Sequence, residues 1–299
     1  MNQINIISDL IKWIEKNLEQ PLSIDAVAEK SGYSKWHLQR MFKKVTGQIL
    51  GTYIRHRRLT HAALALRLTS KPILDIAMQY RFDSQQTFTR SFKRQFNVTP
   101  ATYRRNDLWN PAGLTPPIEL QKIQISLPEP TFANFPEQEF WGITYKNNCD
   151  LNTLINKNTE LRKQFFNDYL AKTFNNKRTL PDKIYSFSRL VKSKDKDNQD
   201  EQELLYSIAI EEQNISENTK KIVSSGGLYL CFKYVGSPAN FIDFMNHVYF
   251  SAIPRLNVQL RRAEVIEIYR NHDNVSRLGN ITEINVLDCN YCIPIVSLD

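Results

Sequence analysis

Residues 27–53 read "VAEKSGYSKWHLQRMFKKVTGQILGTY", and the same outline returns over residues 76–103 as "IAMQYRFDSQQTFTRSFKRQFNVTPATY". Val27-Ala28 matches Ile76-Ala77 at an offset of 49, and after one extra residue in the turn the offset becomes 50. Leu38 then matches Phe88, Arg40 matches Arg90, Phe42 matches Phe92, Lys43-Lys44 matches Lys93-Arg94, and Thr52-Tyr53 matches Thr102-Tyr103. Apolar, basic and closing positions stay in step, so the unit is duplicated. Each copy predicts helix, tight turn, helix. In the first, Ser23 caps the leading helix, Gly32 supplies the turn and Ser34 starts the second helix. In the second, Pro72 suits a first helical position and Ser84 opens the second helix.

The second helix of each copy carries the chemistry. In the first, Leu38, Met41, Phe42 and Val45 recur at helical spacing and form an inward stripe. Trp36, Gln39, Arg40, Lys43 and Lys44 share the opposite face, with Lys35 and His37 on its flanks. In the second, Phe88, Phe92 and Phe96 point inward, while Gln85, Gln86, Thr89, Arg90, Lys93 and Arg94 point outward. Arginine pairs bidentately with guanine, glutamine with adenine, and an apolar body can cover a thymine methyl. Peripheral lysines can neutralise phosphates. Taken alone, the first helix fits a solvated amphipathic surface as well as a DNA reader.

Charge separates the two readings. Residues 1–105 hold 18 Lys and Arg against 7 Asp and Glu, a balance of +11. The remaining residues hold 21 against 24, a balance of −3, within a total of +8. A basic module is joined to a mildly acidic one, which favours a polyanionic partner for the first. Between the copies, "TYIRHRRLTHAALALRLT" predicts one stiff helix that fixes their separation. Two recognition helices on one chain can then meet successive major grooves, ~34 Å apart, without dimerisation. Their unequal faces imply a target that is asymmetric and not a palindrome. Arg55, Arg57 and Arg58 on the connecting helix read as solvated or phosphate-facing, and His61 as structural or exposed. Asp25 and Asp75 read as local pairing or dipole partners of the leading helices.

Downstream the pattern changes. "NDLWNPAGLTPPIEL", residues 106–120, is rich in Pro and Gly and reads as a linker. From residue 121 to 299, short β-branched and aromatic runs predict strands: "KIQISL", "FWGITYK", "KIYSFSRL", "LLYSIAIEE", "GGLYLCFKYVG", "VIEIYR" and "NYCIPIVSL". Two helical segments intervene, "DLNTLINKNTELRKQFFNDYLAKTF" and "PANFIDFMNHVYFSAIPRL", and "KSKDKDNQDEQE" is a solvated loop. The expected architecture is therefore multi-domain: an all-α N-terminal domain with two helix-turn-helix motifs on a linker helix, then an α+β domain. No apolar run approaches the ~18 residues of a membrane span. The N-terminal "INIISDLIKWIEKNL" reads as an amphipathic helix rather than a signal peptide, which implies a cytoplasmic protein. Cys149, Cys231, Cys289 and Cys292 are then expected as buried thiols, because the lone C-x-x-C has no second pair or nearby histidine for a metal. No cofactor is expected.

Residues 1–105 resemble the paired helix-turn-helix module of AraC/XylS-family transcription activators, with "GYSKWHLQRMFK" and "ILDIAMQYRFDSQQTFTRSFKRQF" closest to the monomeric stress-response activators. The resemblance implies base contacts from Trp36, Gln39 and Arg40, with His37 close by, and from Gln85, Gln86, Thr87 and Arg90. It further implies double-stranded promoter DNA and RNA polymerase as partners, at promoters for drug, solvent and oxidative-stress resistance. "GGLYLCFKYVGSPANFIDFMNHVYFSAIPRL", "EVIEIYR" and "YCIPI" resemble the GyrI-like effector domain, in which a duplicated β-α-β-β unit encloses a small-molecule site. The family's acidic residue falls on Glu267, and Trp141, Tyr145, Tyr229 and Tyr269 are candidate aromatic walls, with Tyr185, Phe187 and Phe232. An acid between Ile266 and Ile268 alternates onto the other strand face, so the assignment fails if that face is solvent.

These observations imply a ligand-sensing activator with no catalytic residues. Two rivals differ in kind. A pocket acid and an aromatic hydroxyl could instead hydrolyse a small molecule, the one catalytic set in sight, since no Ser-His-Asp arrangement, metal spacing or phosphate-binding glycine loop accompanies them. An architectural DNA binder with an inert second domain is the other.

Overall fold

The computed structural model describes residues 3–69, 71–120, 128–149, 182–192, 202–211, 219–256, 258–270 and 286–296. The predicted strand "KIQISL", the helix from residue 150 and most of the charged loop lie outside them. The chain divides into two compact units, residues 1–106 with 112–126, and residues 107–111 with 127–299.

The first unit is all helical. Its helices are α1 (Gln3–Lys16), α2 (Ile24–Ser31), α3 (Lys35–Thr46), α4 (Leu50–Leu68), α5 (Ile73–Gln79), α6 (Gln85–Phe96) and α7 (Pro100–Arg105). Ser23, Ser34, Ser84 and Thr99 each accept a backbone N–H of the following first turn through the side-chain oxygen, which sets where α2, α3, α6 and α7 begin. The turn α2–α3 passes through Gly32 at φ 72°. In the second copy Arg81 takes the matching left-handed conformation at φ 64°. Three steps then separate Arg81 from the cap Ser84, where two separate Gly32 from Ser34, and this is the extra residue seen in the repeat. The copies also end alike, on Gly47 at φ 75° and Asn97 at φ 61°, the two residue types that accept this conformation most readily.

Each copy has its own apolar centre. In the first, Leu38, Met41 and Phe42 pack with Ile7, Leu10, Ile11, Ile14 and Val27. In the second, Phe88, Phe92, Phe96 and Tyr103 form a run of ring contacts with centroids 4.4–5.5 Å apart. Helix α4 runs 19 residues, about 28 Å at 1.5 Å per residue, and is buried along most of its length.

Burial of α4 corrects the expectation for Arg57. This side chain is not solvated or phosphate-facing: it is 3% exposed. Its Nε donates to both Glu15 oxygens at 3.0 Å and its Nη2 to Oε2 at 2.7 Å, while Tyr53 OH donates to Oε1 at 2.6 Å. Arg57 Nη1 donates to the Thr115 carbonyl. Arg58 likewise turns inward, onto the carbonyls of Leu18 (2.8 Å) and Gln20 (2.7 Å), whereas Arg55 is exposed. Asp25 pairs locally, with Lys35.

Residues 112–120 lie along this unit. Gly113 O accepts from Gln95 Nε2 at 2.8 Å, Thr115 N donates to Thr60 Oγ1 at 3.0 Å, and Ile118 and Leu120 pack on the first motif's core. At Gly113, φ is 93° and a Cβ would stand 2.6 Å from Gln95 O, so only glycine fits.

Acid should loosen this unit. Burial and then the Arg57 charge push His61 down to about 4. Burial pushes Glu15 up, but hydrogen bonds and charge from Arg57 outweigh it and hold the carboxyl below its ordinary value. Between pH ~6.5 and ~4 the unfolded chain binds a proton at His61 that the folded chain refuses, so stability falls with pH there. Glu15 adds to the loss below its unfolded value. Thermal unfolding by circular dichroism should show about 2–3 kcal/mol lost between pH 7 and 4. His61→Gln should flatten the portion above pH 5, and an unchanged profile in that variant would assign the acid sensitivity elsewhere.

Among the described residues, the second unit is an antiparallel sheet with one helical run. Its strands are β1 (Thr131–Phe135), β2 (Gln138–Cys149), β3 (Lys183–Lys192), β4 (Gln202–Ile210), β5 (Lys220–Ser224), β6 (Gly227–Gly236), β7 (Gln259–Leu260), β8 (Val265–Arg270) and β9 (Leu287–Val296). They run in the order β1-β6-β9-β8-β3-β4-β2-β5, with β7 on β9. The helix α8 (Phe241–His247) continues through a π-turn, Val248–Ala252, and a last turn, Ile253–Arg255. Trp109, in the expected linker, exchanges both backbone hydrogen bonds with Leu260 at 2.8 Å.

Alternation assigns the two sheet faces. Ile184, Tyr206, Ile208, Phe232, Tyr234, Tyr269 and Tyr291 pack with Phe241, Phe244 and Met245 of α8. Phe140, Tyr185, Phe187, Tyr229, Ile266 and Ile268 form the other core. The cysteine expectation needs correction. Cys231 and Cys292 stand directly opposite in the β6–β9 register and are joined as a disulfide. Cys289 is buried, and an odd spacing on one strand sends it to the face opposite Cys292.

Candidate nucleic-acid interface and effector site

On α3 the cap at Ser34 and the inward stripe of Leu38, Met41 and Phe42 decide which side chains face out. Trp36 is 68% exposed, far more than any ordinary packing role leaves a ring of that size. Arg40, one helical turn on, lies over it at 5.3 Å from the ring centroid. His37 stacks on Tyr33 at 5.1 Å, and Gln39, Lys43 and Lys44 are exposed beside them. The face thus presents a flat apolar body, an amide and a guanidinium in one patch.

On α6, Gln85, Gln86, Thr87, Arg90, Lys93 and Arg94 are all exposed, and the three phenylalanines are all buried. Ser84 Oγ accepts the Thr87 N–H at 3.1 Å and donates to Thr87 Oγ1 at 3.0 Å, which orients that hydroxyl at the helix start. The two faces differ in their leading residues, Trp-Gln-Arg against Gln-Gln-Arg.

Glu267 is 1% exposed. It sits within a cross-strand row, Phe232, Tyr291, Glu267, Ser186, Ile208 and Ile143, that runs over β6, β9, β8, β3, β4 and β2. Its Oε2 accepts from Ser186 Oγ at 2.8 Å, from Tyr206 OH at 3.1 Å and from Tyr269 OH. Burial and the Glu267 charge push the nearby Tyr249 phenol up to about 12, against the hydrogen bond that Tyr291 donates to it at 3.4 Å. Tyr145 lies opposite Tyr206 and Trp141 opposite Ile210, so both share this face. Trp141, Tyr145, Tyr269 and Glu267 are therefore brought to one side of the sheet.

Tyr229 is not. It stands three residues from Phe232 and faces the other way, into the second core, with Arg261 over its ring at 4.8 Å. Tyr185 and Phe187 are on that side too, and Tyr185 OH donates to Glu211. Sequence reading missed Ser186, Tyr206, Tyr249 and Tyr291. Ser186 sits midway in "KIYSFSRL" with no local signal, and only its register against Glu267 marks it.

The sequence matches the family described as "Helix-turn-helix domain" over residues 27–106 and the "GyrI-like small molecule binding domain" over residues 128–296. It is 43% identical over 298 residues to the transcriptional regulator Rob of Salmonella typhimurium, covering 99% of each chain. The right origin-binding protein of Escherichia coli K12 gives the same identity and coverage. The regulatory protein SoxS of Escherichia coli K12 is 61% identical over 104 residues, 35% of this chain and 97% of that one.

Proposed function

The chain belongs to the family of the regulator Rob, an AraC-type helix-turn-helix module followed by a GyrI-like small-molecule binding domain, and from that premise we propose that it binds an asymmetric promoter site as a monomer. Helices α3 and α6 enter successive major grooves. Trp36, Gln39 and Arg40 read base edges in one, and Gln85, Gln86, Thr87 and Arg90 in the other. His37, Lys43, Lys44, Lys93 and Arg94 hold the flanking phosphates. Residues 1–105 form the reader, 106–120 connect it, and 121–299 sense a small molecule. The bound complex recruits RNA polymerase in the cytoplasm at stress-response promoters. The observation that supports this most is the 68% exposure of Trp36 beside Arg40, on a helix whose Leu38, Met41 and Phe42 are buried.

The ligand is a small apolar or cationic molecule. Glu267 supplies the counter-charge, with Trp141, Tyr145 and Tyr269 on the same face. Its oxygen is already engaged by hydroxyl donors, which suits charge complementarity better than proton abstraction, and the domain is read as a sensor rather than an enzyme. Turnover of a bound cation would reverse that choice.

Trp36→Ala and Arg40→Ala should each weaken the specific complex by about 1–3 kcal/mol and random duplex far less. Equal losses on both would reduce these side chains to phosphate contacts. Sedimentation of the complex should give one chain per duplex, and two would exclude the monomeric reading.

A further inference from the structure

Cys231 on β6 and Cys292 on β9 are 61 residues apart in the chain, stand directly opposite in the ladder and are joined as a disulfide. Cys289 registers with Tyr234 and faces the other side of the sheet, so it competes for neither member of the pair. Disulfides that form in a reducing compartment are mostly transient and redox-responsive. The two members are not equally sheltered. Cys292 is fully buried, whereas Cys231 is 7% exposed. Beside Cys231 runs β1, which among the described residues pairs with β6 alone, and the residue opposite Cys231 is Thr131, the exposed first residue of that strand. Fraying of this one terminal residue uncovers Cys231 and leaves Cys292 covered. Tyr229 and Pro294 form the next pair on the same face, and the Arg261 guanidinium lies over the Tyr229 ring at 4.8 Å. Its Nε is buried and has no hydrogen-bond partner among the described residues. A cation beside a thiol favours the thiolate, the form that attacks a peroxide.

We propose that Cys231 and Cys292 are a reversible oxidation site through which the second unit responds to hydrogen peroxide. The Cys231 thiolate attacks one peroxide oxygen and the O–O bond breaks. The departing hydroxide takes up the proton that the thiol gave up and leaves as water, with Cys231 now a sulfenic acid. The Cys292 sulfur then attacks the Cys231 sulfur; S–S forms as S–O breaks, and the Cys292 proton leaves with the hydroxide as a second water. Peroxide gains the two electrons that the thiols lose. A dithiol protein reductant reverses the step by exchange and is itself oxidised to a disulfide. Closing the bond ties β6 to β9 in the row that continues to Ile266, one residue from Glu267. Phe232, Tyr291 and Glu267 form the adjoining row. The cross-linked sheet holds Glu267 buried, so a ligand must part a wall that the open dithiol leaves easier to move. The link to the ligand rests on the cytoplasmic sensor reading and deepens it.

The test uses the full chain, reduced with dithiothreitol, freed of the reductant and given stoichiometric hydrogen peroxide. Peptide mapping without reductant should join the segments that hold Cys231 and Cys292, and dithiothreitol should restore both thiols in the folded chain. The cross-linked second unit should melt about 5–10 °C higher, since the bond closes a long loop. In Cys292→Ala, dimedone should label the Cys231 sulfenic acid, whereas Cys231→Ala should leave Cys292 unlabelled. Affinity for tetraphenylphosphonium should be weaker by about threefold or more in the cross-linked chain. A reduced chain that never forms this bond, a bond that dithiothreitol opens only after unfolding, or equal cation affinity in the two forms would overturn the inference. Cation binding by neither form, with thiols that still cycle and the melting shift intact, would instead strike the effector reading and leave the oxidation site standing.

Discussion

Glu15→Ala should destabilise the helical unit by about 3–5 kcal/mol, the cost of stranding a buried charge. The carboxylate is the partner of Arg57, whose side chain is 4% exposed and cannot recover water without opening the core around α4. Tyr53 OH, which donates to the same carboxylate, loses its acceptor as well. For a domain near 100 residues this corresponds to a fall of more than about 10 °C in the melting midpoint. Replacing both partners by apolar residues, Glu15→Leu with Arg57→Met, should recover most of the loss, because an ion pair of this kind offsets little beyond its own desolvation. Urea titrations at constant slope would measure both. A loss below ~1 kcal/mol for Glu15→Ala would mean that Arg57 finds water or another acceptor, and that α1 and α4 are joined by apolar contact alone.

The second large effect is expected at Glu267, where two substitutions separate structure from recognition. Glu267→Ala removes the acceptor of Ser186, Tyr206 and Tyr269 in the middle of a sheet. Unsatisfied buried hydroxyls cost about 1–3 kcal/mol each, and partial rearrangement among neighbouring tyrosines should leave a net loss of about 3 kcal/mol. Glu267→Gln keeps the shape and one acceptor oxygen but removes the charge, so it should fold nearly as well. Calorimetric titration with tetraphenylphosphonium, an apolar cation, should then show binding to the parent and at least a tenfold loss in Glu267→Gln. Retained cation affinity in the glutamine variant would confine Glu267 to holding the sheet together.

The helical half was legible because its information is local and written twice. Stripe, cap and turn recur within some fifty residues, and even the added turn residue was visible as a step in the alignment before Arg81 took its left-handed conformation. Arg57 was not legible. Among arginines spaced along a polar-looking helix, nothing nearby distinguishes the one that meets Glu15, some forty residues earlier in the chain.

In the sheet, strand positions were readable and Glu267 was placed on the face away from Ile266 and Ile268, as its neighbours implied. Tyr229 was misplaced because alternation relates residues within a strand, whereas relating β6 to β8 requires the intervening β9 and its register. The cysteine pair has the same origin: Cys231 and Cys292 are far apart in sequence and opposed only once β6 and β9 are aligned.

The segment that crosses from one unit to the other also sets where the protein can be cut. Thr115 and Ile118 supply polar partners to Arg57, Thr60 and Tyr53, and Leu120 covers the apolar centre beneath them. A fragment ending at residue 105 would expose that seam to water, while one ending at 120 keeps it closed. Engineers grafting this reader onto another sensor would do best to carry the seam along and to splice beyond it.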